Sequence, residues 1–258
     1  MTASLHPLIV RDLVVAFPER LDRPVLDGFG LTAPPGRRIG LVGENGVGKS
    51  TLLRAVAGRL PKAARVDGVV DAPADLTFLG QEPPFCDAST VGDVLEATLR
   101  PLRAAVAEVE RLAADLPAAE QEYAARLEWA IDHDAWDADR RAEMSAGRLG
   151  LAGLDPARPV GSLSGGQRTR LALATIMTTR PTCLLLDEPT NHLDDDAMEV
   201  IGTFLRDLPG VVVFASHDRV FLDDVATDLV DLDPVGLGTD GRGGRRFGGG
   251  WSSYERHR

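Results

Sequence analysis

Gly43-Glu44-Asn45-Gly46-Val47-Gly48-Lys49-Ser50 is the stretch on which the reading of this chain turns. It fits the spacing GxxxxGK[ST] without a gap. An apolar run, Arg38–Val42, precedes it and reads as a strand; Lys49–Gly58 comes after it and reads as a helix. Glycines let successive backbone N–H groups turn inward around an anion, and a helix start adds its positive end. Lys49 is placed to reach β- and γ-phosphates as a flexible point charge, and Ser50 to offer its hydroxyl to Mg²⁺. Lysine occurs only at 49 and 62 and every other basic residue is arginine, so lysine at this position stands out. A chance glycine-rich turn is the other reading, and the order strand, loop, helix speaks against it.

Downstream, Cys183-Leu184-Leu185-Leu186 is an apolar strand that ends in Asp187 and Glu188. In an open parallel sheet ligands gather at the carboxyl ends of strands. Asp187 is therefore expected beside the phosphate loop, holding Mg²⁺, often through water. Glu188 is expected to face the γ-phosphate and to orient and activate the attacking water. Taken without the loop, the pair would read equally as two solvated acids.

The rest of the chain supplies an α/β frame interrupted once. Leu8–Val15, Val25–Ala33, Val66–Val70 and Leu76–Leu79 read as strands, Phe17–Arg23 as a loop and Pro34-Pro35-Gly36 as a turn. Residues 91 to 150 are rich in Ala, Leu, Glu and Arg. Here Val91–Leu116 reads as a helix kinked at Pro101 and broken by Pro117, followed by helices over Ala118–Ile131 and Asp137–Leu149. A plain solvated helical subdomain is one reading of this insertion. The α/β pattern resumes with helices at Gly165–Thr178, Asp195–Asp207 and Arg219–Val225. Strands alternate with them at Thr182–Asp187, Val211–Ser216 and Leu229–Leu232, the last expected to close the core. Gly236–Gly250 reads as a loop or hairpin, and there is no internal repeat.

Composition bounds the function classes. A chain of 258 residues holds one large α/β domain or two small ones. With 44% apolar and 26% charged residues it reads as a soluble globular protein. No apolar run approaches the roughly 18 residues of a membrane helix, and the first ten residues lack the pattern of a signal peptide. A cytoplasmic location is the expectation. The net charge of −11 argues against broad, unspecific nucleic-acid binding. The tail is locally basic, with Arg242, Arg245, Arg246, Arg256 and Arg258 against Glu255. Cys86 and Cys183 have no metal-ligand spacing and read as free thiols, buried or half-buried.

Leu163-Ser164-Gly165-Gly166-Gln167 is where a family resemblance enters: it matches the signature motif of ATP-binding cassette (ABC) proteins. Because it starts a helix, Ser164, Gly165, Gly166 and Gln167 form a second phosphate-binding helix start. The resemblance implies that two cassettes pack head to tail, each signature closing over the ATP on the other's loop. It implies an α/β fold of the P-loop NTPase, ABC-type ATPase kind. That fold has a mostly parallel core sheet flanked by helices, an N-terminal antiparallel β subdomain, and a helical subdomain with an arm-like insertion. It also implies a division of labour along one ATPase domain. Residues 8–90 and 180–235 form the core and β subdomain, 91–179 the helical part, and 236–258 a glycine-rich hairpin and the start of a linker. Gln81 looks like the glutamine that reaches Mg²⁺ and the water. Pro189-Thr190-Asn191-His192-Leu193-Asp194 resembles the segment that crosses the dimer interface. His217 resembles the histidine that contacts γ-phosphate, and Phe17 stands where an aromatic stacks on adenine. Thr51 joins Gly43–Ser50 in the nucleotide-binding set.

Several features resemble the soluble F class of the family. They are Asn191-His192-Leu193-Asp194 after Glu188-Pro189-Thr190, the helical insertion before the signature, and Phe247-Gly248-Gly249-Gly250-Trp251-Ser252-Ser253-Tyr254. Gly43-Glu44-Asn45 and Ser216-His217-Asp218-Arg219 agree. Members of that class carry two cassettes, and many act at the ribosome in translation or in protection against antibiotics. The arginine-rich composition is similar to actinobacterial members. A second loop and signature are missing from this sequence, so it looks like the first cassette alone. The partner would be a second cassette, in the same polypeptide or in a homodimer, with the ribosome as a further partner. Two alternatives stay open: an ATP-binding subunit docked on a membrane permease, and an ATP-binding module that hydrolyses little unless paired.

Overall fold

The structure is a computed structural model and describes residues 5–20, 23–114, 116–233 and 244–256. Its contacts divide into two compact units. The α/β unit holds Leu5–Glu82, Thr182–Asn191 and Gly202–Arg258; the helical unit holds Pro83–Pro181 and His192–Ile201.

The α/β unit contains two sheets. β1 (Leu8–Ala16) pairs antiparallel with β2 (Leu26–Ala33) and with β4 (Arg65–Asp71), in the order β2-β1-β4. The larger sheet has the order β5-β6-β7-β3-β8-β9. Its strands are β3 (Arg38–Val42), β5 (Leu76–Leu79), β6 (Cys183–Asp187), β7 (Val211–Ala215), β8 (Asp228–Asp231) and β9 (Arg245–Gly248). Every pairing in it is parallel except β8 with β9. β6 and β7 are buried at all positions, which is why CLLLD and VVVFA are continuous apolar runs rather than alternating ones. Helix α1 (Lys49–Val56) packs Leu52, Leu53, Ala55 and Val56 into the same core as Leu41, Leu185 and Val213. Helix α7 (Arg219–Val225) is N-capped by Asp218, whose Oδ1 accepts from Phe221 N at 3.0 Å.

The helical unit is built on α2 (Val91–Ala113), α3 (Leu116–Asp132), α4 (Ala138–Arg148) and α5 (Gly165–Thr179). Thr90 and Asp93 close a capping box at the start of α2. Leu99, Leu102, Ala105 and Val109 recur at helical spacing and form the core of this unit with Ala130, Ala135, Ala138 and Ala142. Helix α6 (Asp195–Asp207) comes next, with Asp194 Oδ1 accepting from Ala197 N at 3.0 Å at its start.

Some expectations need correction. Pro117 does not end the first long helix: α2 stops at Ala113 and Pro117 falls in the first turn of α3, where a missing N–H costs no hydrogen bond. The break comes at Ala119, whose φ of −119° and ψ of 21° are not helical. As the sequence reading has it, one helix runs through Pro101. Leu229–Leu232 falls on β8, which is buried throughout as the last core strand should be, and the mostly exposed β9 adds an antiparallel edge beside it. The glycine-rich reading of 236–250 is only partly testable: 234–243 lie outside the described residues, 245–248 are strand and Trp251–Glu255 form a short helix, α8.

Cys86 is exposed, not half-buried, whereas Cys183 is buried in β6. Burial, with the Asp75 charge adding to it, pushes the Cys183 thiol up to about 12. At pH 8 about one such thiol in 10⁴ is ionised. A thiol reagent at pH 8 is therefore expected to titrate only Cys86 in the native protein and both cysteines after denaturation. Equal, fast reaction of both in the native state would contradict the burial of β6.

Candidate functional site

The carboxyl ends of β3, β5, β6 and β7 meet at one edge of the large sheet because those strands run parallel and adjacent in the order β5-β6-β7-β3. The residues just beyond each of these ends form the site. After β3 the loop 43–48 turns three times through positive φ, at Gly43 (134°), Gly46 (83°) and Gly48 (116°). At Gly48, the N-cap of α1, a Cβ would also meet Val25 and Leu26 side chains at 3.1 Å. Only glycine satisfies both the left-handed backbone and that close approach.

Lys49 opens α1 and is 7% exposed. Its Nζ donates to Gly43 O at 2.7 Å and to Glu44 O at 3.1 Å, so the ammonium lies inside the curl of the loop. Burial lowers the Lys49 pKa, and the charges of Glu188, Asp187 and Asp231 act against that. The ammonium is thus held by two loop carbonyls and lies in the field of carboxylates at the ends of two other strands.

Ser50 Oγ donates to Asp187 Oδ1 at 2.9 Å. Asp187 is 2% exposed and its second oxygen, Oδ2, is buried without a hydrogen-bond partner. An ionised carboxylate oxygen in that position leaves a strong acceptor unsatisfied. A hydroxyl and a carboxylate with a free lone pair are hard oxygen donors of the kind Mg²⁺ takes. Among the described residues there is no group of three or more His, Cys, Asp or Glu able to hold a metal. The donor set therefore fits an ion held by a few protein oxygens together with phosphate, and not an all-protein cage.

Glu188 comes directly after Asp187 with φ of 55°, a left-handed conformation uncommon outside glycine and found at functional sites. The turn is pinned by Glu188 N donating to Ala215 O at 2.9 Å and Asn191 N donating to Glu188 O at 3.2 Å. His217 leaves the end of β7 and meets Glu188 twice. His217 N donates to Oε2 at 3.2 Å, and Nε2 lies 3.2 Å from Oε1. The Glu188 side chain is 9% exposed and the His217 ring 55%, so the carboxylate is fixed from below and the ring closes it from the solvent side.

Asn45, Gly46, Gly48, Lys49, Ser50, Thr51, Gln81, Glu188 and His217 line one pocket of about 190 Å³. That is below the ~300–1,000 Å³ of a site enclosing a whole drug-sized ligand, and suits the phosphate end of a nucleotide. Gln81, two residues beyond β5, is brought in as the sequence predicts. Phe17 is not brought into this pocket; it is half-buried against the α/β core. Ser164 to Gln167 lie in the helical unit. There Ser164 caps α5, its Oγ accepting from Gln167 N at 3.2 Å while Gln167 Oε1 accepts from Ser164 N at 3.1 Å. A Cβ on Gly166 would sit 3.3 Å from His192 O, and Arg170 pairs with Asp194 at 2.7 Å, so the helix start is packed on the segment after Asn191.

The family model described as ABC transporter matches residues 26–191. This chain belongs to the ABC transporter family. The match spans the loop, Gln81, the signature, Asp187 and Glu188; His217 lies beyond it and rests on its contacts with Glu188. The cassette is 39% identical over 243 residues to the tylosin resistance ATP-binding protein TlrC of Streptomyces fradiae, covering 90% of this chain and 43% of that one. It is 38% identical over 217 residues to the energy-dependent translational throttle protein EttA of Mycobacterium tuberculosis strain H37Rv, covering 82% and 38%. The cassette thus spans less than half the length of these relatives, and both agree with the F-class resemblance of the motifs. Among solved structures, an ATP binding subunit of an ABC transporter superposes with a TM-score of 0.69 at 15% identity, covering 94% of this chain and 90% of that one, which shows the fold. No helix among the described residues is long and apolar enough to cross a membrane.

Sequence reading passed over Asp231 and Asp233, both buried at the end of β8 beside Gly43, and took Tyr254, which is also buried, only as part of the stretch Phe247–Tyr254. The strand-end rule that found Asp187 applies equally to β8 and was the available signal.

Proposed function

We propose that this cassette binds Mg-ATP in the Lys49 pocket and hydrolyses it when a second cassette closes over the nucleotide. The loop N–H groups and Lys49 hold the β- and γ-phosphates. Ser50 Oγ, the unpartnered Asp187 Oδ2 and the Gln81 side chain hold Mg²⁺, which when bound offsets phosphate charge and polarises the γ-phosphoryl group. Glu188 accepts the proton of the attacking water, and His217 keeps that carboxylate oriented while offering its exposed edge to γ-phosphate. Phe17 stacks on the adenine. Ser164, Gly165, Gly166 and Gln167 act on the ATP of the partner cassette. The α/β unit is then the nucleotide-binding core of one domain, and the helical unit presents its signature.

The observation that carries this reading is the convergence of Lys49, Ser50, Gln81, Glu188 and His217 on one pocket from four different strand ends. Within a longer protein related to TlrC and EttA, the cassette works in translation or in resistance to a ribosome-directed antibiotic, in the cytoplasm. Turnover per molecule is expected to rise with protein concentration, because each site needs another cassette's signature. Turnover independent of concentration would contradict the pairing. The Glu188→Gln variant with Mg-ATP is expected to pellet with ribosomes; recovery with a membrane permease instead would overturn the cellular role and leave the ATPase reading standing.

A further inference from the structure

The site has an outlet on the far side of Lys49. Asp231 ends β8, directly paired with Val42 at the end of β3, and Leu232 N donates to Val42 O at 3.0 Å. Asp231 Oδ1 accepts from Asp233 N at 2.9 Å and lies beside Gly43, where an added Cβ would be in van der Waals contact with Oδ1 at 3.5 Å and with Asp233 N at 3.4 Å. Gly43 O is in turn the nearer acceptor of the Lys49 ammonium. Asp231 Oδ2 accepts from the Tyr254 hydroxyl at 2.6 Å, and both residues are buried, Asp231 at 5% and Tyr254 at 1% exposure. The buried carboxylate thus stands between the first residue of the phosphate loop and the aromatic turn α8.

That turn is a built element. Tyr254 meets Phe247 of β9 edge to face at 5.0 Å and Trp251 at 5.1 Å between ring centroids. Arg219 of α7 lies over the Trp251 ring at 4.9 Å. Ser252 N donates to Asp223 Oδ1 at 2.9 Å. Displacement of Asp231 cannot be absorbed by solvent, so it passes to Tyr254 and the rings packed on it.

The geometry points to Asp231 and Tyr254 as positioning residues that fix the start of the phosphate loop and couple nucleotide occupancy to the turn Trp251–Glu255. Phosphate on the loop draws the Lys49 ammonium from the Gly43 carbonyl, and Asp231, which also acts electrostatically on Lys49, re-settles against Gly43 and Tyr254. Without the tyrosine hydroxyl Oδ2 loses its donor while Oδ1 keeps Asp233 N, and the carboxylate turns its unsatisfied oxygen toward Lys49 and competes with phosphate for it.

This inference rests on the Mg-ATP reading above, and the test separates the two. The full chain carrying Trp129→Phe and Trp136→Phe leaves Trp251 as its one tryptophan. It is titrated with Mg-ATP, following Trp251 emission and, in parallel, heat by calorimetry. A saturable change in emission at the calorimetric Kd is expected. Tyr254→Phe in that background is expected to bind about tenfold more weakly, equivalent to about 1.4 kcal/mol, with the emission change lost. Asp231→Ala, which removes the acceptor of the Tyr254 hydroxyl from the other side, is also expected to lose the emission change, and serves as the second variant if Tyr254→Phe does not fold; an emission change retained in it overturns the coupling. Heat without any change in Trp251, or a Tyr254→Phe response identical to the parent's, overturns the coupling alone. No heat in the parent overturns the Mg-ATP reading itself.

Discussion

Lys49→Ala is expected to weaken Mg-ATP binding by at least about 10²-fold, a loss of about 3 kcal/mol, because it removes a charge-assisted contact in a largely desolvated pocket. Lys49 is 7% exposed, and its Nζ already sits on two loop carbonyls where the phosphates are proposed to enter. The substitution also leaves Asp187, Glu188 and Asp231 without the cation between them, so the pocket becomes repulsive to a polyanion. Lys49→Arg is expected to rescue poorly: a planar fork is larger than the ammonium the curl of 43–48 admits. The measurement is a calorimetric Kd on folded variants. An affinity within a few-fold of the parent's for Lys49→Ala would place the phosphates elsewhere.

Glu188→Gln is expected to separate chemistry from binding. A positioned general base contributes about 10²–10⁴-fold to rate, so kcat should fall by that order in a preparation able to pair. The Mg-ATP Kd should stay within a few-fold, because an amide oxygen can still accept from His217 N and no loop contact is touched. His217→Ala acts on the same carboxylate from its solvent side, where the ring closes it at 3.2 Å. Its effect should therefore be far from additive with Glu188→Gln in the double variant. Additive losses would mean that the two residues act on different steps.

The pocket was legible in the sequence because each part has a local signature and one topological rule places them together. Gly43 to Ser50 carries its own geometry, and a fully apolar strand ending in Asp187 and Glu188 can end only at the carboxyl edge of a buried parallel sheet. The strand and helix order was legible for the same reason: β3, β5, α6 and α7 have the expected bounds. What was illegible depends on tertiary contact. β9 reads RRFG, mostly exposed and without alternation, and forms only because β8 offers it an edge. α8 is held by Asp223 and by the Phe247 and Trp251 rings, none of which is visible as periodicity. Pro117 looked like a terminator because a proline that starts a helix and one that stops it differ only in register. Asp231 was missed because β8 is short and begins and ends in acids, which masks it as polar surface although all four residues are buried.

Residues after four strand ends line one pocket proposed to take phosphate and Mg²⁺, and calorimetric titration of the chain with ATP, in Mg²⁺ and again in chelator, tests this most directly. The account predicts saturable uptake of one nucleotide per chain with Mg²⁺, much weaker in chelator, since Asp187 Oδ2 then lacks the ion that links it to phosphate. Absence of uptake in Mg²⁺, or uptake of equal strength in chelator, would contradict it.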